Sequence, residues 1–298
     1  MDTKVVSVII PCYKQAQFLK EAIDSVLVQT YPRFEIVVVD DGSPDNISAI
    51  LEGYTQVKYI KQANQGAAIA RNTGIKNSCG HYLIFLDADD RLLPGAVLSG
   101  VNFLADNPAH AFVTGHVTII DTNGIVVDTP AQPTVEKDHY QTLLRSNYIW
   151  TPGVVMYRRS VFENQRGFDP TAGGSADYEL NIRLARFFAV GCHGKVVLEY
   201  RQHQTNMSSN LAYMLKSGVS VRRRQYQYIK DNPALVGAWR QGIRTVQQDV
   251  GERLINDLLH SKRNGTLLKK KAIRELMCLC HYYPRGALKF FWLFFIKR

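Results

Sequence analysis

His81-Tyr82-Leu83-Ile84-Phe85-Leu86-Asp87-Ala88-Asp89-Asp90 is the stretch from which the fold is read. Its apolar run lacks polar alternation, which predicts a strand buried on both faces. Three carboxylates follow within four residues, just past the strand's carboxyl end, where open α/β sheets bind ligands. Acids placed so close repel one another. A divalent cation that prefers hard oxygen ligands, Mg²⁺ or Mn²⁺, would hold them together. A solvated acidic turn leading into a helix would need no ligand. The neighbouring segments bear on that choice.

Upstream, Val5 to Ile10 reads as a first buried strand ending at Pro11-Cys12-Tyr13. Phe18, Leu19, Ala22, Ile23, Val26 and Leu27 recur at helical spacing, and Tyr31-Pro32 stops that helix. Phe34 to Val39 is a second strand ending at Asp40-Asp41-Gly42-Ser43, with Ser43 or Asp45 placed to cap a short helix. A short strand over Val57 to Ile60 and a helix carrying Ala67, Ala70, Arg71 and Ile75 lead into the quoted stretch. Strand and helix alternate three times, which predicts an α/β fold with a mostly parallel sheet covered by helices. Parallel strands place their carboxyl ends on one edge. Asp40-Asp41 and Asp87-Ala88-Asp89 are therefore expected side by side.

Downstream, the pattern predicts a helix from Pro94 to about Ala105 and strands over Ala111–Ile120, Gly153–Tyr157 and Lys195–Tyr200. A helix is expected over Tyr178–Phe188. Beyond about residue 210 the chain reads as helical, with breaks at Pro233 and Pro284. The expected division is a domain over 1–210 and a helical extension over 211–298.

The 298 residues are 46% hydrophobic and 21% charged, enough for a packed core and too apolar for wholesale disorder. Five cysteines, without a CxxC pair, fit a reducing, cytoplasmic setting rather than a disulfide framework or a zinc cluster. The first residues are too short an apolar run for a signal peptide, and no stretch reaches the roughly 20 apolar residues of a membrane span. The net charge of +10 is unevenly spread. Residues 211–298 hold 18 Lys and Arg against 5 Asp and Glu, whereas 1–210 hold 18 against 21. A basic tail on a mildly acidic body points to an anionic partner for the tail.

Four segments together carry a resemblance: Val6-Ser7-Val8-Ile9-Ile10-Pro11-Cys12-Tyr13, Val37-Val38-Val39-Asp40-Asp41-Gly42-Ser43, Ala70-Arg71-Asn72-Thr73-Gly74-Ile75, and Gly80 through Asp90. In this order and spacing the chain resembles glycosyltransferase family 2 over roughly residues 5–205. The resemblance implies the GT-A fold and an inverting, metal-dependent transfer of sugar from a nucleotide-sugar donor. It implies that Asp40 accepts from the nucleotide base, that Pro11 and Tyr13 flank that base, and that Arg71 lies near the nucleotide; a solvated helix face is the other reading of Arg71. Asp87-Ala88-Asp89 resembles the DXD motif, whose metal bridges the donor phosphates. Asp41 and Asp90 then read as supports for their neighbours.

An inverting transfer also needs a base for the acceptor hydroxyl. Gly173 to Leu180 resembles the acceptor-side motif of the family, which makes Asp177 the base. Ala176 departs from the usual Glu. Glu179 is an alternative base or a helix-surface acid. Lys14, where the family often has Asn, reads either as a phosphate contact or as solvated. His203, in Tyr200 to Ser208, reads as a third metal ligand, a diphosphate contact or a structural histidine. Tyr157-Arg158-Arg159 and Gly167-Phe168-Asp169 fit the acceptor side, and Trp150 either stacks on a sugar or anchors a loop.

The expected partners are a nucleotide-diphosphate sugar and a saccharide or lipid-linked acceptor in surface polysaccharide synthesis. Nucleic acid is not expected, since no recognised binding module is present. Leu288 to Arg298 mixes aromatics with cations in a segment too short to span a bilayer, which suits the cytoplasmic membrane interface; packing on the body or on a second copy is the competing reading. Three functional rivals remain. A phosphorylation receiver also carries acids at strand ends, but its acid pair follows its first strand. A phosphotransferase of the haloacid dehalogenase type carries Asp-X-Asp after its first strand. A nucleotide-sugar-binding protein without catalysis would fit the change to Ala176.

Overall fold

The computed structural model describes residues 4–264 and 269–296. Two compact units are present. The first comprises Met1–Tyr140, Tyr148–Thr171 and Ala176–His203; the second comprises Gln141–Asn147, Ala172–Ser175 and Gln204–Arg298.

Element order in the first unit follows the hydrophobic pattern. It runs β1 (Val6–Cys12), α1 (Ala16–Leu27), β2 (Phe34–Asp40), α2 (Ile47–Leu51), β3 (Val57–Lys61), α3 (Ala67–Lys76), β4 (Tyr82–Phe85), β5 (Arg91–Leu92), α4 (Ala96–Asp106), β6 (His110–Ile120) and β7 (Val126–Asp128). Then come α5 (His139–Arg145), whose residues 141–145 belong to the second unit, β8 (Val155–Arg158), α6 (Val161–Asn164), α7 (Ala176–Phe187) and β9 (Ala189–Arg201). The sheet order is β3-β2-β1-β4-β8-β6-β9-β5, with β7 on β6. Strands β1 to β4 are mutually parallel, and β8 reverses direction against both β4 and β6. This curled sheet, parallel in its first half and mixed beyond it, is flanked by helices in the manner of the GT-A fold.

The central strands are buried because they are apolar on both faces: Val6, Val8, Ile9 and Ile10 are fully buried, as are Val37, Val38 and Val39. Pro11 is tolerated inside β1 because its missing N–H falls past the end of β4, which pairs with β1 only as far as Ile9↔Phe85. Helix α2 starts one residue later than a cap at Asp45 would set and three later than one at Ser43. Asn46 is its cap, accepting from the Ala49 N–H at 3.3 Å. Both expected caps are used elsewhere: Ser43 Oγ accepts from the Lys14 N–H at 2.8 Å, and Asp45 Oδ2 from the Ala16 N–H at 3.4 Å. Strands β5 and β7 have two and three residues, too short for periodicity to announce.

The second unit contains α8 (Leu211–Ile229), α9 (Pro233–Val246), a π turn over Gln247–Gly251, α10 (Glu252–Arg263), α11 (Lys269–Tyr282) and α12 (Pro284–Ile296). Pro233 and Pro284 each open a helix, where a missing N–H costs nothing. Asn210 and Asn232 cap α8 and α9, accepting from Tyr213 and Leu235 N–H groups at 3.1 Å each. Leu211, Leu215, Val219, Leu254, Ile255, Leu258, Leu279 and Phe290 form its core.

Candidate active site

Strand pairing builds the site. β1 lies between β2 and β4, with Cys12 opposite Asp40 and Ile9 opposite Phe85. The Asp41 N–H donates to the Cys12 carbonyl, and the Leu86 N–H to the Ile9 carbonyl, each at 2.9 Å. The acids ending β2 and those following β4 therefore stand on either side of the end of β1. The Cys12 thiol reports this: burial first, then Asp40, Asp45 and Asp89, push its pKa up to about 12.

The acids differ in what they face. Asp40 is 1% exposed. Its Oδ1 accepts from the Ser43 N–H at 2.7 Å and its Oδ2 from the Tyr59 hydroxyl at 2.8 Å. Asp41 accepts from Gln62 Nε2 at 2.7 Å and from the N–H groups of Gln65 and Gly66 at 2.9 and 2.8 Å, so it shapes the loop before α3. Asp90, also buried, accepts from the Arg201 N–H at 2.9 Å and the Thr151 hydroxyl at 3.4 Å. Burial, with Asp89 and Asp87 adding to it, raises its pKa well above the usual carboxylate value.

Asp87 and Asp89 are the members of the rim with open faces, their side chains 30% and 14% exposed. Arg71 reaches Asp87 Oδ1 at 2.5 Å, and the Thr151 hydroxyl reaches Oδ2 at 3.4 Å. Arg71 is 8% exposed, which rules out the solvated-face reading, and its guanidinium lies 5.3 Å from the Phe168 ring centre. Asn72 fixes that ring by exchanging two hydrogen bonds with the Phe168 backbone, both 2.9 Å. Asp89 Oδ2 is 2.9 Å from His203 Nε2 and 3.2 Å from Gln15 Nε2. His203 stacks on Phe18 at 5.3 Å, which orients its ring. Burial and repulsion from Asp87 raise the pKa of Asp89, and the bond to His203 opposes the shift.

That repulsion tests the fit of a cation. Asp89 Oδ2 and His203 Nε2 stand 2.9 Å apart in a direct hydrogen bond, which both would give up to share an ion. Asp87, Asp89 and His203 offer the hard oxygens and the imidazole that Mn²⁺ accepts. Among the described residues, no group of three or more His, Cys, Asp or Glu is already gathered in a ligand cage. In this arrangement Asp87 is neutralised by Arg71 instead.

Asp177 sits in the first turn of α7. Burial raises its pKa; Arg71 opposes the shift and Asp87 adds to it. The electrostatic coupling ties Asp177 to the Arg71–Asp87 pair. Glu179 does not share the opening. It is 4% exposed and held by Arg183 at 2.9 and 3.0 Å, which makes it neither a surface acid nor an available base. Ala176 is buried, Ala88 is buried, Pro11 is partly buried, and Tyr13 and Trp150 present 42% and 43% of their surface. Arg158 and Arg159 do not reach this rim. β8 runs antiparallel to β4 with Arg158 opposite Tyr82, so both lie at the opposite edge, where Arg158 binds the His110 and Asn107 carbonyls and Arg159 the Ile75 carbonyl.

Sequence reasoning missed Gln15, Thr151, Phe18 and Arg201. The first two have no motif to mark them. For Arg201 the available signal was an arginine directly after a predicted strand, in the segment that leads to His203.

The model of glycosyl transferase family 2 matches residues 7–166. An uncharacterised glycosyltransferase of Rickettsia typhi is 30% identical over 217 residues, 71% of this chain and 68% of the relative. One of Rickettsia conorii is 46% identical over 109 residues, 36% of this chain and 18% of the relative. The chain covers 31% of a further relative, from Rickettsia bellii, so several curated relatives are far longer proteins. Among solved structures, S. aureus TarS in complex with UDP-GlcNAc has a TM-score of 0.60 at 18% identity, covering 93% of this chain and 91% of that one. The mannosyltransferase PcManGT of Pyrobaculum calidifontis, in complex with GDP-Man and Mn²⁺, has a TM-score of 0.56 at 18% identity, covering 96% and 87%. Identity that low carries the fold alone. The family model extends over more than half of the chain, including both strand-end acid motifs of the rim, and the chain belongs to glycosyl transferase family 2.

Proposed function

We propose that this chain transfers a sugar from a nucleoside-diphosphate donor to a hydroxyl of a saccharide or lipid-linked acceptor, with inversion at the anomeric carbon, in the assembly of a surface or secreted polysaccharide. The observation that carries this is the rim itself, where strand pairing brings the acids after β2 and β4 to the end of β1 and Arg71 bonds Asp87 at 2.5 Å; the charges of Arg71 and Asp87 also act on Asp177. The complexes of TarS with UDP-GlcNAc and of PcManGT with GDP-Man and Mn²⁺ support the donor class and the cation.

In this reading residues 1–210 do the chemistry and 211–298 serve attachment. Tyr13, Pro11 and the Asp40 loop receive the nucleotide. Asp40 keeps its two protein partners and offers the base one of its remaining lone pairs. Asp87, Asp89 and His203 would hold Mg²⁺ or Mn²⁺, which supplies charge neutralisation for the departing diphosphate. Arg71 pairs with Asp87 and aims it. Asp177 takes the acceptor hydroxyl's proton as that oxygen bonds to the anomeric carbon, opposite the leaving diphosphate; the proton ends on the Asp177 carboxyl. Burial suits it to this, because a raised carboxylate pKa makes a stronger base.

Turnover of a panel of nucleotide sugars with Mn²⁺ tests the donor reading, and calorimetry with UDP, GDP and TDP tests binding. Asp177→Asn should lower turnover by about 10²–10⁴-fold with donor affinity retained. Unchanged turnover removes Asp177 from the chemistry. Donor binding without turnover in the unaltered chain would favour the non-catalytic binding protein that Ala176 raises.

Attachment is proposed to be peripheral. Among the described residues no helix is long and apolar enough to cross a membrane. Ile273 and Met277 on α11, and Leu288, Phe291 and Trp292 on α12, are exposed at helical spacing, with Lys270, Arg274 and Arg285 beside them. Lys297 and Arg298 lie outside the described residues. Flotation with phosphatidylglycerol vesicles tests this face: Leu288→Ser with Trp292→Ser should abolish binding, and undiminished binding would reject it.

A further inference from the structure

Among the described residues, Lys14 is one of two non-glycine residues with positive φ, at 58°. A long side chain is disfavoured there, whereas Asn tolerates it. The conformation is held from outside: the Lys14 N–H donates to Ser43 Oγ at 2.8 Å, and the Ser43 N–H donates to Asp40 Oδ1 at 2.7 Å. The turn after β1 is thereby pinned to the turn after β2. Strain kept in place by its surroundings points to a use for the side chain.

Its neighbours place that side chain. Tyr13 exposes its ring on one side, and on the other Gln15 touches Asp89 Oδ2 at 3.2 Å. Lys14 thus stands between the residue assigned to the base and a residue on the acid assigned to the diphosphate. Its ammonium lies 5.2 Å from the Tyr13 ring centre, is exposed, and makes no ion pair among the described residues.

The geometry points to Lys14 as a donor-binding residue whose ammonium pairs with the anionic diphosphate of the nucleotide, the left-handed backbone being what turns it over Tyr13. This rests on the donor reading above. An Asn at this position would tolerate the turn better and could not supply the charge.

Calorimetry of the full chain with UDP and GDP in the presence of Mn²⁺ tests it, using Lys14→Gln, Lys14→Asn and Lys14→Arg, with thermal melts of each protein free of nucleotide. Lys14→Gln and Lys14→Asn should each weaken nucleotide binding about tenfold, and Lys14→Arg much less. Lys14→Asn should melt above Lys14→Gln, because only it relieves the backbone. Affinity of the unaltered chain should also fall more steeply with salt than that of Lys14→Gln. A Lys14→Gln chain that binds as tightly as the unaltered one overturns the assignment and leaves the donor reading intact. An unaltered chain that binds no nucleoside diphosphate overturns the donor reading and this inference with it.

Discussion

Replacing Arg201 with methionine should loosen the acid-bearing loop from behind. Arg201 is fully buried at the end of β9. Its Nε donates to the Asp89 carbonyl at 2.8 Å, one guanidinium nitrogen to the carbonyls of Asp121 and Thr122 at 3.2 and 3.1 Å, and the other to Glu21 at 2.6 Å. The guanidinium also lies 4.6 Å from the Phe18 ring centre, and Phe18 carries His203 on its ring. Methionine fills much of the stem's volume and supplies no donor. The Asp121–Thr122 turn and Glu21 are exposed enough for water to replace their lost bonds. The Asp89 carbonyl loses a fully buried partner, and an acceptor left unmatched costs about 1–3 kcal/mol. Losing the cation over Phe18 adds about 0.5–2 kcal/mol, while removing a buried charge returns part of this. The expected net loss is about 2–4 kcal/mol, which corresponds to roughly 5–15 °C in Tm for a domain of this size. Urea unfolding followed by circular dichroism measures the loss, and hydrogen exchange over residues 87–92 localises it. Arg201→Lys, with a single donor centre, should fall between the two. Should Arg201→Met melt within about 2 °C of the unaltered chain with unchanged exchange at 87–92, the argument that this side chain fixes the Asp89 backbone is wrong.

Three further outcomes follow from the structure. Burial, then Lys195 and His116, lower the pKa of His193 to about 4, so unfolding takes up a proton there between pH 6.5 and 4. Stability should be independent of this group above pH 6.5 and fall by up to about 3 kcal/mol as pH drops to 4; in His193→Gln the Tm-versus-pH slope over that window should flatten, and an unchanged slope would exclude His193 as its source. Mn²⁺ should raise the Tm of the unaltered chain and leave that of Asp89→Asn unmoved, read by differential scanning fluorimetry; equal shifts would place any bound ion elsewhere. A methyl group on Gly74 would stand 2.2 Å from Ile9 Cγ2, so Gly74→Ala should cost about 1–3 kcal/mol despite the better helix propensity of alanine, and a stabilised variant would mean that β1 and α3 yield freely.

The strand–helix alternation and the acids at strand ends were legible because each depends on local pattern. A continuous apolar run must be covered on both faces, and the residue after a buried parallel strand must emerge at the rim. The side-chain directions at that rim were not legible. Asp40 and Asp41 look alike beside Asp87 and Asp89 in the chain, yet Asp41 is turned into the protein by Gln62 and the Gln65–Gly66 backbone, and Asp40 already holds donors from Tyr59 and Ser43. Glu179 is likewise tied to Arg183, and Arg158 and Arg159 at the end of β8 lie at the far edge because that strand runs backwards.

By itself the sequence determined the parallel half of the sheet, the helical character of the C-terminal segment and the convergence of distant acids on one edge. Hydrophobic period and strand direction are set within a few residues of each position. Only the tertiary structure decided which acids stay open, that Arg71 neutralises Asp87, and that Thr151, Phe18 and Arg201 hold the loop from behind. Those choices depend on which donors from remote segments reach each buried oxygen, and a buried charge takes whichever partner the packing brings to it.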